Sequence, residues 1–190
     1  MQNASNMATH SRSFLNNVMD TLTFWEFRYD AIYKMHINNN ITPKYAIVYH
    51  DNAPVNAYLS NKTELKFNEI HGLIETKNYI FLSGVTKGKY FQMLYCKKNK
   101  DSFKLHFDNS NFEDAICNDI DGGLPFFPAG ITSDGTLYTS FSLYKFKEYL
   151  NDKAFKEIIS LFPEKKQKLL NLISKSKFED NPCLMLVRLK

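Results

Sequence analysis

The side chains best suited to chemistry gather in one stretch, Asn118-Asp119-Ile120-Asp121-Gly122-Gly123-Leu124-Pro125-Phe126-Phe127-Pro128. Asp119 and Asp121, with Asp108, Glu113 and Asp114 just upstream, offer the oxygen donors that a hard cation such as calcium takes. The spacing is not that of an EF-hand, and carboxylates in such turns ordinarily accept backbone N–H bonds, so no metal is expected and Asp119 and Asp121 stand only as weak calcium candidates. Paired carboxylates also do glycosidase-type acid–base work when their separation is right, a distance that sequence does not show. The Gly pair admits positive φ while the prolines fix φ and remove donors, so this is irregular backbone. Phe126 and Phe127 are too apolar to leave in water and should pin the loop to a core.

The candidate ligand-binding set is therefore Asp119, Asp121, Phe126, Phe127 and the single tryptophan, Trp25, with core packing the plainer role for the three aromatics. The five histidines, His10, His36, His50, His71 and His106, never fall at metal-site spacings. Cys96, Cys117 and Cys183 stand far apart with no CxxC pair, which gives neither a zinc signature nor a disulfide framework, and they read as small buried hydrophobes. The chain has no nucleophile elbow, no Walker loop and no dinucleotide fingerprint. No catalytic residue and no cofactor is expected on these grounds.

The elements that must position this loop are mostly strands. Aromatics make up 15% of the 190 residues, 16 Phe and 11 Tyr among them, which favours pleated, half-buried surfaces. Residues 1–17 are polar, carry no apolar core of a signal peptide, and read as a flexible tail, with a weak helical period from Phe14 to Leu22. A meander follows, over Thr21–Tyr29, Ala31–His36 and Lys44–Tyr49, and Asn52–Thr63 reads as a connecting loop. A second meander covers Glu69–Glu75, Tyr79–Gly84, Lys89–Cys96 and Ser102–Phe107, with Lys97-Lys98-Asn99-Lys100 as a solvated turn. A third unit pairs Ala129–Thr132 with Thr136–Leu143 through the Asp134-Gly135 turn.

From about 145 to 177 the period changes to helical. Phe146, Tyr149, Leu150, Phe155, Ile158, Ile159 and Phe162 lie on one face, and a second helix opens at Pro163-Glu164 with Leu169, Leu170, Leu172 and Ile173 as its apolar side. Residues 183–190 read as a final apolar strand. Four-stranded meanders at about 45-residue spacing are what a β-propeller blade requires. The expected fold class is thus all-β, a partial propeller of about three to four blades over residues 18–190, with a two-helix insert and a terminal strand.

Phe27–Tyr33, Ile41–Tyr45, Asn118–Gly123 and the terminal Asn181–Lys190, in that order, resemble the C-terminal half of the six-bladed, TolB-like β-propeller lipoproteins of gut bacteria. The resemblance implies a parent about twice as long, with further blades, an export signal and a lipid-anchored cysteine. It implies a cell-envelope location, whereas the chain as written, without a signal peptide, reads as cytoplasmic. It carries no catalytic residues.

The expected function is a non-catalytic binding or scaffold module for a protein or glycan ligand, the alternative being a hydrolase or lyase with carboxylates at the propeller mouth. The net charge of +4 comes from scattered lysines, and the basic aromatic run Lys87–Lys98 reads as a strand with one core face and one wet face, so nucleic acid is not an expected partner. No membrane span is expected, and open sheet edges could support self-association.

Overall fold

The computed structural model describes residues 13–18, 21–26, 31–36, 38, 40–46, 69–86, 89–105, 115–151, 159–177 and 180–189. The described part is all-β, in three antiparallel sheets with two helices.

Sheet 1 is a four-stranded meander of β1 (Ser13–Val18), β2 (Thr21–Glu26), β3 (Ala31–Met35) and β4 (Ile41–Ala46). Where a helical period was expected at Phe14–Leu22, Ser13–Val18 is a strand and a second strand begins at Thr21; residues 1–12 of the expected flexible tail lie outside the described residues. The reason is pairing: β1 runs in unbroken register along β2, from Ser13 opposite Glu26 to Val18 opposite Thr21, and so supplies the fourth strand of the meander. The expected loop Asn52–Thr63 lies outside the described residues.

Sheet 2 repeats the plan with β5 (Glu69–Glu75), β6 (Tyr79–Thr86), β7 (Lys89–Cys96) and β8 (Asp101–Leu105). Sheet 3 holds three strands in the order β11 (Cys183–Val187), β10 (Leu137–Phe141), β9 (Gly130–Ile131), so the last strand of the chain is an edge strand beside β10. Helices α1 (Leu143–Asn151) and α2 (Pro163–Lys175) pack on it. The Ser142 hydroxyl accepts the Lys145 N–H at 3.3 Å and so caps α1, while Pro163 at the first turn, Glu164 behind it and Lys175 in the last turn suit the ends of α2.

Sheet 2 is the middle layer. Its register places Leu73, Leu82 and Met93 on one face, and Ile74, Phe81 and Leu94 on the other. The first set, with Ile70, Ile80 and Tyr95, packs against Trp25, Ile32 and Tyr45 of sheet 1. The second packs against Leu137, Met185 and Val187 of sheet 3 and against Phe126 and Phe127. A bulge at His71 lets Ile70 and Leu73 share a face despite their odd spacing. The one-wet-face reading of β7 is thereby corrected: Phe91 to Lys97 are all half-buried, because a sheet lies over each side.

A third cluster joins Leu143, Phe146, Tyr149 and Ile173 of the helices to Leu124. Ile159 and Phe162, expected on an apolar helix face, lie instead in the irregular stretch before α2 and are exposed, as is Leu172.

Candidate functional site

The Asp119–Asp121 loop is held at its base by a two-way antiparallel bridge, with Ile116 N–H on Phe126 O at 3.0 Å and Phe126 N–H on Ile116 O at 2.8 Å. Within it the Asp121 carboxylate accepts the Gly123 N–H at 2.9 Å, and Asn118 Oδ1 accepts the Asp121 N–H. Gly122 has φ of 65°, the left-handed region that favours glycine. The loop's far side is bonded to the chain entering α2: Leu161 N–H to Asp119 O at 2.7 Å and Ser160 Oγ to Ile120 O at 2.9 Å. These bonds leave Asp119 and Ile120 exposed and Asp121 half-buried. Phe126 is buried and Phe127 half-buried, edge-on to Phe81 at 5.9 Å, so the Phe pair does anchor the loop to the core between sheets 2 and 3.

Trp25 is 2% exposed in the cluster between sheets 1 and 2, apart from the loop. The candidate residues therefore divide into an exposed carboxylate loop and buried aromatics. Among the described residues no group of three or more His, Cys, Asp or Glu is placed to hold a metal ion. Cys117, next to the loop, is exposed rather than buried, while Cys96 and Cys183 are half-buried.

A second polar centre, absent from the expected set, lies between sheets 1 and 2. Glu75 is fully buried, and its Oε1 accepts Lys44 Nζ at 2.7 Å and Lys97 Nζ at 2.5 Å. Lys97 Nζ also donates to Thr76 O at 2.5 Å. Lys44 arrives from β4 through a bulge, the register shift opposite Ile32 and Tyr33 that leaves Lys44 as the extra residue. Both ammonium groups lie near the face of Tyr45, at 5.5 and 5.9 Å from the ring centre, and Tyr95 meets that ring edge-on at 6.2 Å.

Burial pushes the Glu75 carboxyl up, but the hydrogen bonds and charges of the two lysines outweigh it and hold the group below its ordinary range. Burial also lowers the Lys97 ammonium against the raising effect of Glu75. Tyr45 is pushed up to about 12, by burial first and then by the Glu75 and Tyr95 charges. A lysine with a depressed pKa has one attribute of an amine nucleophile, yet this one is spent on Glu75 and the Thr76 carbonyl. The arrangement ties β4 of sheet 1 to β5 and the end of β7 in sheet 2.

One sequence signal pointed to this centre. Glu75 stands in phase with Leu73, and Lys97 in phase with Phe91, Met93 and Tyr95, so a charge occupies a core position in each run. The solvated turn expected at Lys97–Lys100 accordingly begins one residue later, with Lys98, Asn99 and Lys100 exposed.

With fold and polar centres in view, a family model described as a domain of unknown function, DUF4934, matches residues 1–188. The chain belongs to the DUF4934 family. No curated protein matches it. The DUF4934 fold is similar to the crystal structure of a "Putative exported protein" from Bacteroides fragilis, with a TM-score of 0.60 at 16% identity. The match covers 93% of this chain and 49% of the other, so the chain spans about half the length of that neighbour. Among the described residues no helix is long and apolar enough to cross a membrane.

Proposed function

We propose that this DUF4934 chain is a propeller-type binding or scaffold module of the cell envelope, non-catalytic, whose ligand is a protein or a glycan. The observation that carries the reading is the stack itself, in which sheet 2 buries both faces between two further antiparallel sheets. Successive blades pack in this way, and each layer makes the next one rigid. The Glu75 and Lys97 charges support the same reading, because they are engaged in joining two sheets rather than offered to a substrate. The likeness to a Bacteroides fragilis protein named for export supports the envelope location, and the TolB-like lipoproteins that the sequence resembles are the finer family reading.

In this reading residues 18–190 act as one unit and ligand contact falls to the surface part of the 118–128 loop. Asp119 and Asp121 make the polar contacts there, Phe126 and Phe127 hold the scaffold behind them, and Trp25 packs between sheets 1 and 2, apart from the loop. A glycan and peptide array probed with the labelled chain tests it. Saturable binding that weakens in Asp119→Ala, with unchanged circular dichroism, is the expected result. Turnover of a glycan that disappears in Asp119→Ala or Asp121→Ala would replace the module by a hydrolase or lyase.

A further inference from the structure

Large apolar side chains stand exposed where the 118–128 loop meets the chain entering α2. Ile120 is 49% exposed, Ile159 88%, Leu161 65% and Phe162 43%. Backbone bonds from Leu161 N–H to Asp119 O and from Phe162 N–H to Ile120 O, with Ser160 Oγ on Ile120 O, hold the two segments side by side. The four residues are therefore one patch and not scattered single exposures, and such a patch marks an interaction surface. An isoleucine as open as Ile159 projects from the molecule and does not line a groove.

The charge beside the patch points to its partner. Residues 159–177 carry Lys165, Lys166, Lys168, Lys175 and Lys177 against the single acid Glu164. Lys165 Nζ lies 4.4 Å from the Phe162 ring centre, and the exposed Lys165, Lys168 and Leu172 follow at i, i+3 and i+7 along one flank of α2. On the loop side, the Asp121 carboxylate accepts the Gly123 N–H and the Lys166 side chain lies against Gly122, so Asp119 is the exposed acid there. We propose that this end of the molecule docks on an anionic lipid surface, with Ile120, Ile159, Leu161 and Phe162 entering the headgroup layer and Lys165 and Lys168 meeting the phosphates. A bilayer closes around a projecting apolar cluster, whereas a protein partner would have to offer a matching hollow. Burial of the apolar tip and attraction of the lysines to negative headgroups then act together. The contact goes beyond the binding-module reading and does not require its ligand.

Co-sedimentation of the 190-residue chain with lipid vesicles tests the proposal. Phosphatidylcholine vesicles with about one-third phosphatidylglycerol should carry the chain down, and pure phosphatidylcholine should carry far less. Salt at about 0.5 M should release most of it, because exposed charges are then screened. Lys165→Gln/Lys168→Gln and Ile159→Ser/Leu161→Ser should each weaken binding ~10-fold or more, with near-UV circular dichroism unchanged. Leu184→Ser/Leu186→Ser, at comparably exposed sites on β11, should bind as wild type and serves as the control. In Ile159→Trp the emission of the new indole should move to the blue when anionic vesicles are added.

A chain that stays in the supernatant with anionic vesicles overturns the proposal. So does binding that ignores Ile159→Ser/Leu161→Ser, or an Ile159→Trp emission that does not move on binding, since either would be plain adsorption by scattered lysines. If acidic peptides on the array bind through Ile159 and Leu161 while vesicles do not, the partner is a protein and the lipid contact falls. Asp119→Ala, which should weaken ligand binding on the array, should leave vesicle binding intact or tighten it. Failure of the lipid contact and failure of the binding-module reading are thereby told apart.

Discussion

At the scale of single residues, Glu75 carries the clearest consequences. A buried carboxylate bonded to two lysines leaves uncompensated charge when either side is removed, and breaking such a pair costs about 3–5 kcal/mol. Glu75→Gln should therefore lower stability by about 3 kcal/mol or more, read as a shift of the urea midpoint at unchanged slope. The sign of the pH dependence follows from the lowered folded-state pKa. Stability from Glu75 is fully present above the unfolded value near 4.5 and is lost as pH falls through the folded value. Urea midpoints measured from pH 6 down to 3 should fall, and the slope of that fall should flatten in Glu75→Gln. If wild type and variant lose stability in parallel, Glu75 is not the group responsible. Glu75 and Lys97 were legible only as charges in phase with the core positions of their strands; that each is the other's partner, 22 residues away, was not.

At the scale of elements, the turns and glycines of sheet 3 give tests of local fit. Asp134-Gly135 makes the expected turn, with Gly135 at φ of 81° and Asp134 accepting the Thr132 hydroxyl and the Thr136 N–H. Those bonds, the Thr132 hydroxyl first, together with Arg188 hold the exposed Asp134 down at about 2, and a carbon-13 NMR titration of its carboxyl should place the midpoint there. On the neighbouring strand, Tyr138 lies over Gly130, and a Cβ at that glycine would run into the Tyr138 ring and hydroxyl. Gly130→Ala should then cost about 1–3 kcal/mol by displacing the ring. In the Tyr138→Ala background the same change should cost much less, and an equal cost in both backgrounds would mean that the strain lies in the backbone instead.

At the scale of the whole molecule, stability rests on residues that join layers. Phe81 on β6 faces Phe127 and Leu137, so Phe81→Ala removes packing between sheets 2 and 3 and should cost about 3–5 kcal/mol. Leu172→Ala, on the exposed side of α2, should change stability by no more than about 0.5 kcal/mol. Thermal or urea unfolding of the two variants side by side checks the layer order, because a sheet 2 with one wet face would make the first change mild.

Strand positions, the antiparallel meanders and the late change to helical period were properties of the sequence alone. Alternation of side chains along a strand and the 3.6-residue helical repeat are local steric facts that each segment carries with it. β1 was misread because its helical period was short and weak, and pairing with β2 settled it. What only the tertiary structure decided was which faces meet: that sheet 2 is covered twice, that Lys44 reaches Glu75 from 31 residues away through a bulge, and that Leu184 and Leu186 are left outside. Those outcomes depend on burial between segments distant in the chain, and no local period encodes the identity of the layer that will lie on top.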